Sequence, residues 1–185
     1  MTPATAGAAT VSTWNIDPAH SVAEFKVKHM MIANVKGKFT GISGTLNLDE
    51  ADPARSSVEA SIPLETVFTG DAQRDTHLRS ADFFHVEEHP VMTFKSTKIE
   101  VKRPGELLVT GNLTIRGVTK PVQFEVEGPT PPAKDPWGNT RVGLEATTKI
   151  NRKDFGLTYN AVLETGGVLV GEDVAITLDV EFVKA

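Results

Sequence analysis

Beyond Ser12 the chain alternates apolar and polar residues with a period of two, the spacing that sends successive side chains to opposite faces of a strand. Ala23, Phe25, Val27 and His29 share one face, while Glu24, Lys26 and Lys28 share the other. Sharper runs follow: Leu107, Val109, Leu113 and Ile115; Val122, Phe124 and Val126; Val142, Leu144, Ala146 and Ile150; Val174, Ile176, Leu178, Val180 and Phe182. Weaker ones cover Thr45 to Leu48, Ser57 to Ile62 and Val91 to Val101, the last changing parity between Phe94 and Ile99 as a bulge requires. Pro53, Gly105, Gly117, the proline-rich Gly128 to Gly138 segment and Gly166 to Gly171 mark turns between them. About eight short strands, each wet on one face and dry on the other, predict an all-β fold, an antiparallel sheet closed into a barrel or folded into a sandwich. A pair of cysteines around a tryptophan, the immunoglobulin mark, is absent, which favours the barrel.

One stretch breaks the alternation. In GDAQRDTHLRSADFF, Gly70 to Phe84, the charged residues Asp71, Asp75 and Arg79 recur at the i,i+4 spacing of a helix. Thr69 or Asp71 can cap its start, Ser80 can cap a second short turn, and Pro90 keeps His89 out of helical geometry. The expected element is a short helix beside the sheet, with Arg74, Asp75 and Arg79 in local ion pairs. Leu78, Phe83 and Phe84 are expected to face apolar surface.

A length of 185 residues suits one domain, set at residues 13–185 behind a flexible leader at 1–12. The net charge of −5 supplies no basic footprint, so nucleic acid is not an expected partner. No cysteine is present, which removes disulfides and thiolate metal sites. Every apolar run is broken by charge before the roughly 18 residues of a membrane helix. The opening MTPATAGAATVS lacks a basic, apolar signal pattern, so the expected compartment is cytoplasmic as written, and periplasmic or secreted if a signal has been removed.

Candidate chemistry is sparse. His85 and His89 enclose HVEEH, with His77 upstream, but the zincin order needs a glutamate directly after the first histidine, where Val86 stands; no metal is expected. No G-x-S-x-G elbow supports a serine hydrolase, and neither glycine fingerprint for nucleotides appears. Lysines 26, 28, 36 and 38 form either a positive stripe able to meet an anionic membrane or charge that protects an exposed strand. His29, by parity, points inward, as a bonded core residue or as a contact for the polar head of a ligand.

Several motifs occur in series. WNIDPAHS at 14–21, EFKVKH ending at His29, RDTHLRSADFF from Arg74, PVMTFKS from Pro90, GNLTIRGVTKPV from Gly111 and NRKDFGL from Asn151 resemble, in order, the YceI-like family of lipocalin-type polyisoprenoid-binding proteins. The resemblance runs from Trp14 to Val183. It implies an antiparallel eight-stranded lipocalin-like barrel, one or two short helices beside it, and an elongated apolar cavity for a long isoprenoid or fatty chain. Many relatives carry a secretory signal; none is expected from the opening residues of this sequence.

Combined with the inward faces, the resemblance gives a non-catalytic binder, store or transporter of a polyprenyl, quinone-like or similar lipid, with no bound cofactor other than that lipid. Phe25, Val27, Phe39, Leu113, Phe124, Leu144 and Ile176 are the expected lining, Phe83 and Phe84 close one end, and His29 stands near the head group. His77 either anchors the helix or reaches the mouth. Transient membrane contact and a homodimer are the further partners. The alternative is a small lipid-acting hydrolase or isomerase using His29 or His77 with a carboxylate inside the cavity.

Overall fold

The computed structural model describes residues 11–185, so residues 1–10 of the expected leader lie outside the described residues. Val11 and Ser12, assigned to that leader from sequence, instead open a strand, because they find partners in Asp49 and Leu48. Among the described residues there are eleven strands and one α-helix: β1 (Val11–Ile16), β2 (Val22–His29), β3 (Ala33–Phe39), β4 (Ser43–Asp49), β5 (Ser57–Pro63), α1 (Ala72–Arg79), β6 (Val91–Arg103), β7 (Glu106–Ile115), β8 (Val118–Glu127), β9 (Ala133–Lys134), β10 (Thr140–Asn151) and β11 (Val170–Lys184).

The eight expected strands match β2, β4, β5, β6, β7, β8, β10 and β11, while β1, β3 and β9 have no counterpart in the alternation pattern. β2 runs along β11 from Val170 to Asp179, and β1 continues along that edge from Phe182 to Lys184. β3 and β4 pair with β2 and β1 in the same end-to-end fashion. Each pair is one long strand broken in the middle. Counted so, the antiparallel ring closes through β5, β6, β7, β8 and β10 back to β11, with β9 a two-residue addition to β10. Closure removes most of the free edges that an open sheet would present.

Local chemistry sets the breaks. Between β1 and β2 the 3-10 turn Pro18–His20 is capped by Asp17, whose Oδ1 accepts from Ala19 N at 3.0 Å. Asp17 N donates to Glu181 O at 2.8 Å and Glu181 N to Ser21 Oγ at 3.1 Å, so the interrupted ladder is re-stitched to β11 on both sides. In β6 the register slips between Ser96 and Lys98, which is the expected parity change.

The strand pattern decides what is buried. In β8, Val122, Phe124 and Val126 are buried while Gln123, Glu125 and Glu127 between them are exposed. One end of the barrel is filled by Trp14, Phe182 and Val142, all at most 2% exposed, with Ile16 and Leu46 around them. Burial of each such side chain contributes about 1.5–3 kcal/mol. A Cβ at Gly111 would run into the Phe94 ring, which fills the space that the missing side chain leaves.

Between β5 and β6 the chain leaves the wall, carries α1, and returns where Leu64 N donates to Pro90 O at 2.9 Å. Asp71 caps α1, its Oδ1 accepting from Arg74 N at 3.0 Å. The ion pairs expected for Arg74, Asp75 and Arg79 do not form. Asp75 is 5% exposed and its Oδ1 accepts from both the backbone N and the hydroxyl of Thr69, while Arg74 donates to the Thr69 hydroxyl (2.8 Å) and carbonyl (2.9 Å). A buried carboxylate is better served by two close donors than by a mobile surface cation. Thr69 is therefore the hub of this corner, and Arg79 Nη1 is buried with no partner among the described residues.

Candidate functional site

Inside the ring lies a cavity of about 600 Å³, within the usual range for small-molecule sites. All of the sequence-expected residues line it: Phe25, Val27, His29, Phe39, His77, Phe83, Phe84, Leu113, Phe124, Leu144 and Ile176. Their depths differ. Phe39, Phe83, Leu113 and Phe124 are buried; Phe25, Val27, Phe84, Leu144 and Ile176 are half-buried. His29 is exposed, contrary to the inward position its parity suggested, because β2 ends there and the chain turns at Met30 and Met31, both at positive φ. It stands at the rim.

Two aromatics owe their positions to glycines. A Cβ on Gly37 would run into the Phe25 ring, as Gly111 would with Phe94, so each missing side chain lets a ring from the adjoining strand lie over the sheet. Phe25 then meets Phe39 at 5.6 Å, and Phe39 meets Phe84 edge-on at 5.6 Å. Small Ala23, Ala60 and Ala146 on the same inner surface leave the middle of the barrel unfilled.

The two ends differ in polarity. At one, Pro53, Ser56 and Pro129 reach the cavity beside Leu107 and Val126. At the other stand His29, Lys28, Asp71, Gln73, Arg74 and His77, several of them exposed, so the cavity opens between the β2–β3 hairpin and the start of α1. The wall is weakest there, since among the described residues β3 has only the Lys38 to Phe68 bridge on its outer edge.

His77 does both things the sequence left open. Its Nε2 lies 2.8 Å from Asp82 Oδ2, tying the helix to the following turn, and its ring packs edge-on against Phe83 (5.0 Å) and Tyr159 (4.8 Å) while lining the cavity. Arg116 fixes the same turn from outside, donating to Ala81 O at 2.7 Å and Phe83 O at 2.6 Å.

Arg152 and Tyr159 were not singled out from sequence, although NRKDFGL contains the first. Arg152 lines the cavity, is 5% exposed, and donates to the carbonyls of Gly171 (2.7 Å), Leu157 (2.6 Å), Tyr159 (2.8 Å) and Val170 (3.1 Å). Burial pushes its pKa down from the ordinary arginine value, with Glu172 partly opposing. Of the five guanidinium N–H groups, four meet these carbonyls.

Among the described residues, two clusters outside the cavity could hold a metal. His85, Glu88 and His89 bring donor atoms within 4.8 Å of one another, because His89 N and Glu88 N both donate to His85 O in a single tight turn that Pro90 only terminates. Asp17, His20 and Glu181 form the other, but a cation is already present: Arg141 Nη1 lies 2.7 Å from Asp17 Oδ2 and its Nε 2.7 Å from Asp135 Oδ2. The His20 and Arg141 contacts hold the Asp17 carboxyl at about 2, and Arg141 chiefly holds Asp135 at about 2.

A closed antiparallel barrel around an apolar, one-ended cavity is the architecture of a small-molecule binding barrel. Residues 14–182 match the YceI-like domain, and the chain belongs to that family. It is 40% identical over 158 residues to the YceI protein of Salmonella newport, covering 83% of this chain and 81% of that one. Among solved structures, the Campylobacter jejuni YceI protein is 32% identical with a TM-score of 0.71, over 86% of this chain and 91% of that one. A polyisoprenoid binding domain from Saccharophagus degradans, implicated in plant cell wall breakdown, shares the fold at 16% identity and a TM-score of 0.65, over 95% of this chain and all of that one.

Proposed function

We propose that the protein is a non-catalytic carrier of a long-chain isoprenoid, polyprenyl or quinone-related, or of a lipid of similar shape. The observation that carries this reading is the unfilled cavity of about 600 Å³ walled by the inward apolar residues of the whole ring. The tail lies among Phe124, Leu113, Ile176 and Leu144, and the head group stays near His29 and His77 at the open end. The polyisoprenoid-binding role of the Saccharophagus neighbour is consistent with that choice of ligand.

Removing hydrocarbon from water contributes about 0.8 kcal/mol per methylene, roughly 4 kcal/mol per isoprene unit. A bilayer offers the tail almost the same gain, so cavity shape and the head-group contacts decide whether the lipid resides in the protein. That balance suits transport, because a ligand held little more tightly than a membrane holds it can be handed back.

The enzyme alternative has one observation in its favour, the His77–Asp82 pair at the mouth. It has no nucleophile beside it: the nearby Ser80 hydroxyl donates to His77 O at 2.6 Å, and both members of the pair are open to solvent, at 39% and 53% exposure. Native mass spectrometry of the purified protein, followed by solvent extraction, separates the readings. The carrier releases an intact long-chain lipid and binds added polyprenol without altering it. A protein that is isolated empty and takes up no polyprenol contradicts the proposal, and conversion of the lipid on incubation favours the enzyme.

A further inference from the structure

We infer that the tip of the β2–β3 hairpin, with the Leu163–Leu169 loop beside it, is a docking lip that seats the cavity mouth on an anionic lipid bilayer. This deepens the carrier reading and rests on it for the purpose of docking, though not for the docking itself. Three consecutive apolar residues stand in solvent at this tip, Met30 at 39%, Met31 at 65% and Ile32 at 79% exposure, and Val162 at 86% lies on the neighbouring loop. The two pieces form one surface: Met30 N donates to Leu169 O at 2.7 Å, and Met31 Sδ packs over Gly167.

The turn is an unusual place for these residues. Met30 and Met31 have φ of 51° and 60°, the left-handed conformation that Gly and Asn adopt readily and Met does not. A sequence that keeps large apolar side chains in such a turn, where no protein core covers them, gains from them elsewhere.

Charge identifies the occupant. On the outer face below the tip, Lys26 stands directly across from Lys36, with Lys28 and Lys38 one step to either side along the same hairpin. Lys26, Lys28 and Lys36 have no carboxylate within salt-bridge distance among the described residues; Lys38 sits across from Glu24 and over the Phe68 ring. On the next strand the partners of Lys26 and Glu24 are the neutral Ala175 and Thr177. The carboxylates around the lip are Asp71 beside the cavity mouth, Glu164 on the adjoining loop, and Glu172 and Asp173 in the β11 bulge next to Lys28, of which Glu172 is already held by Lys153 at 2.7 Å. A protein of net charge −5 thus places facing like charges beside its apolar tip. Apolar residues that enter the interface above a ring of lysines match a bilayer with negative head groups. Lys28, His29, Val35 and Leu169 line the cavity next to this lip, so a tail could pass from bilayer to barrel without its methylenes crossing water.

Sedimentation with vesicles tests this, using phosphatidylcholine alone or mixed with phosphatidylglycerol. The wild-type protein should pellet with mixed vesicles, less so with neutral ones, and release as salt rises. Met31→Asp with Ile32→Asp should abolish pelleting, and Lys26→Glu with Lys36→Glu should weaken it by at least about tenfold. Circular dichroism should be unchanged in both, because these side chains are exposed. Uptake of a prenyl alcohol from detergent micelles should be unaffected, while uptake from vesicles slows. Wild-type protein that ignores anionic vesicles, or variants that bind them as well as wild type, would overturn the lip. So would a wild-type dimer that the tip variants convert to monomer without any vesicle binding. Vesicle binding with no uptake from either source would leave the lip and remove the carrier; uptake from vesicles indifferent to both variants would do the reverse.

Discussion

The two ends of the barrel are built by the same strands with the same alternation, yet at one the cavity is closed off by packed side chains and at the other it opens to solvent. At the packed end β1, β10 and the last residues of β11 bring Trp14, Val142 and Phe182 together with almost no exposure, and Trp14 Nε1 donates to Ser12 Oγ at 2.8 Å. Outside that end Arg141 gathers Asp17, Asp135 and, at 3.8 Å, Glu181. At the open end the same β11 meets β2, where Phe25, Val27 and Ile176 are only half-buried because nothing fills the space between them. Alternation therefore decides which residues face inward, and side-chain volume decides whether inward means core or cavity.

The largest separation of the ends should come from Trp14→Ala. Loss of a fully buried indole from the packed end should cost about 3–5 kcal/mol in denaturant unfolding. Ala146→Phe probes the hollow middle in the opposite sense. Overpacking a filled core costs about 1–3 kcal/mol, whereas here the ring should enter the cavity, leave the melting temperature equal or higher, and reduce lipid uptake. A clear drop in stability with uptake intact would mean that the space is not available.

The ion cluster at the packed end gives a pH signature. Asp17 and Asp135 sit at about 2 in the folded protein, below the ordinary 3.8, so their contribution is fully present above about 4 and is lost as pH falls through about 2. Thermal melts should show that loss between pH 4 and 2, and Arg141→Ala should flatten it. The smallest effect belongs to the mouth. His77→Ala removes the Asp82 bond and two ring contacts at a half-exposed site, so a loss of about 1 kcal/mol or less is expected. Lipid exchange, followed by transfer of a fluorescent prenyl analogue to acceptor vesicles, should become faster.

Much of this was legible in the sequence because parity is a local property. The inward face of every long strand, the bulge in β6 and the helix capped by Asp71 follow from neighbours a few residues apart. Depth along the barrel is not local: His29 has the parity of Phe25 and Val27, but stands at the rim because the strand ends with it. Arg152 works through the carbonyls of a loop that folds back over it, and Arg141 joins Asp17 across 124 positions. No spacing rule reaches that far. β1 and β3 escaped the alternation for a related reason: β1 is held by Lys184 to Phe182 of β11 at the other end of the chain, and β3 has its apolar partners across the hairpin in β2.

The central claim is that a lipid tail occupies the hollow part of the ring and leaves the packed part alone. Methyl-resolved nuclear magnetic resonance during titration with a long-chain prenyl alcohol measures this directly. Methyl groups of Leu113, Leu144, Ile176 and Val27 should shift together and saturate, while those of Leu64, Ile42 and Val142, buried but away from the cavity, should stay in place. Shifts confined to surface methyls, or none at saturating alcohol, would contradict the account.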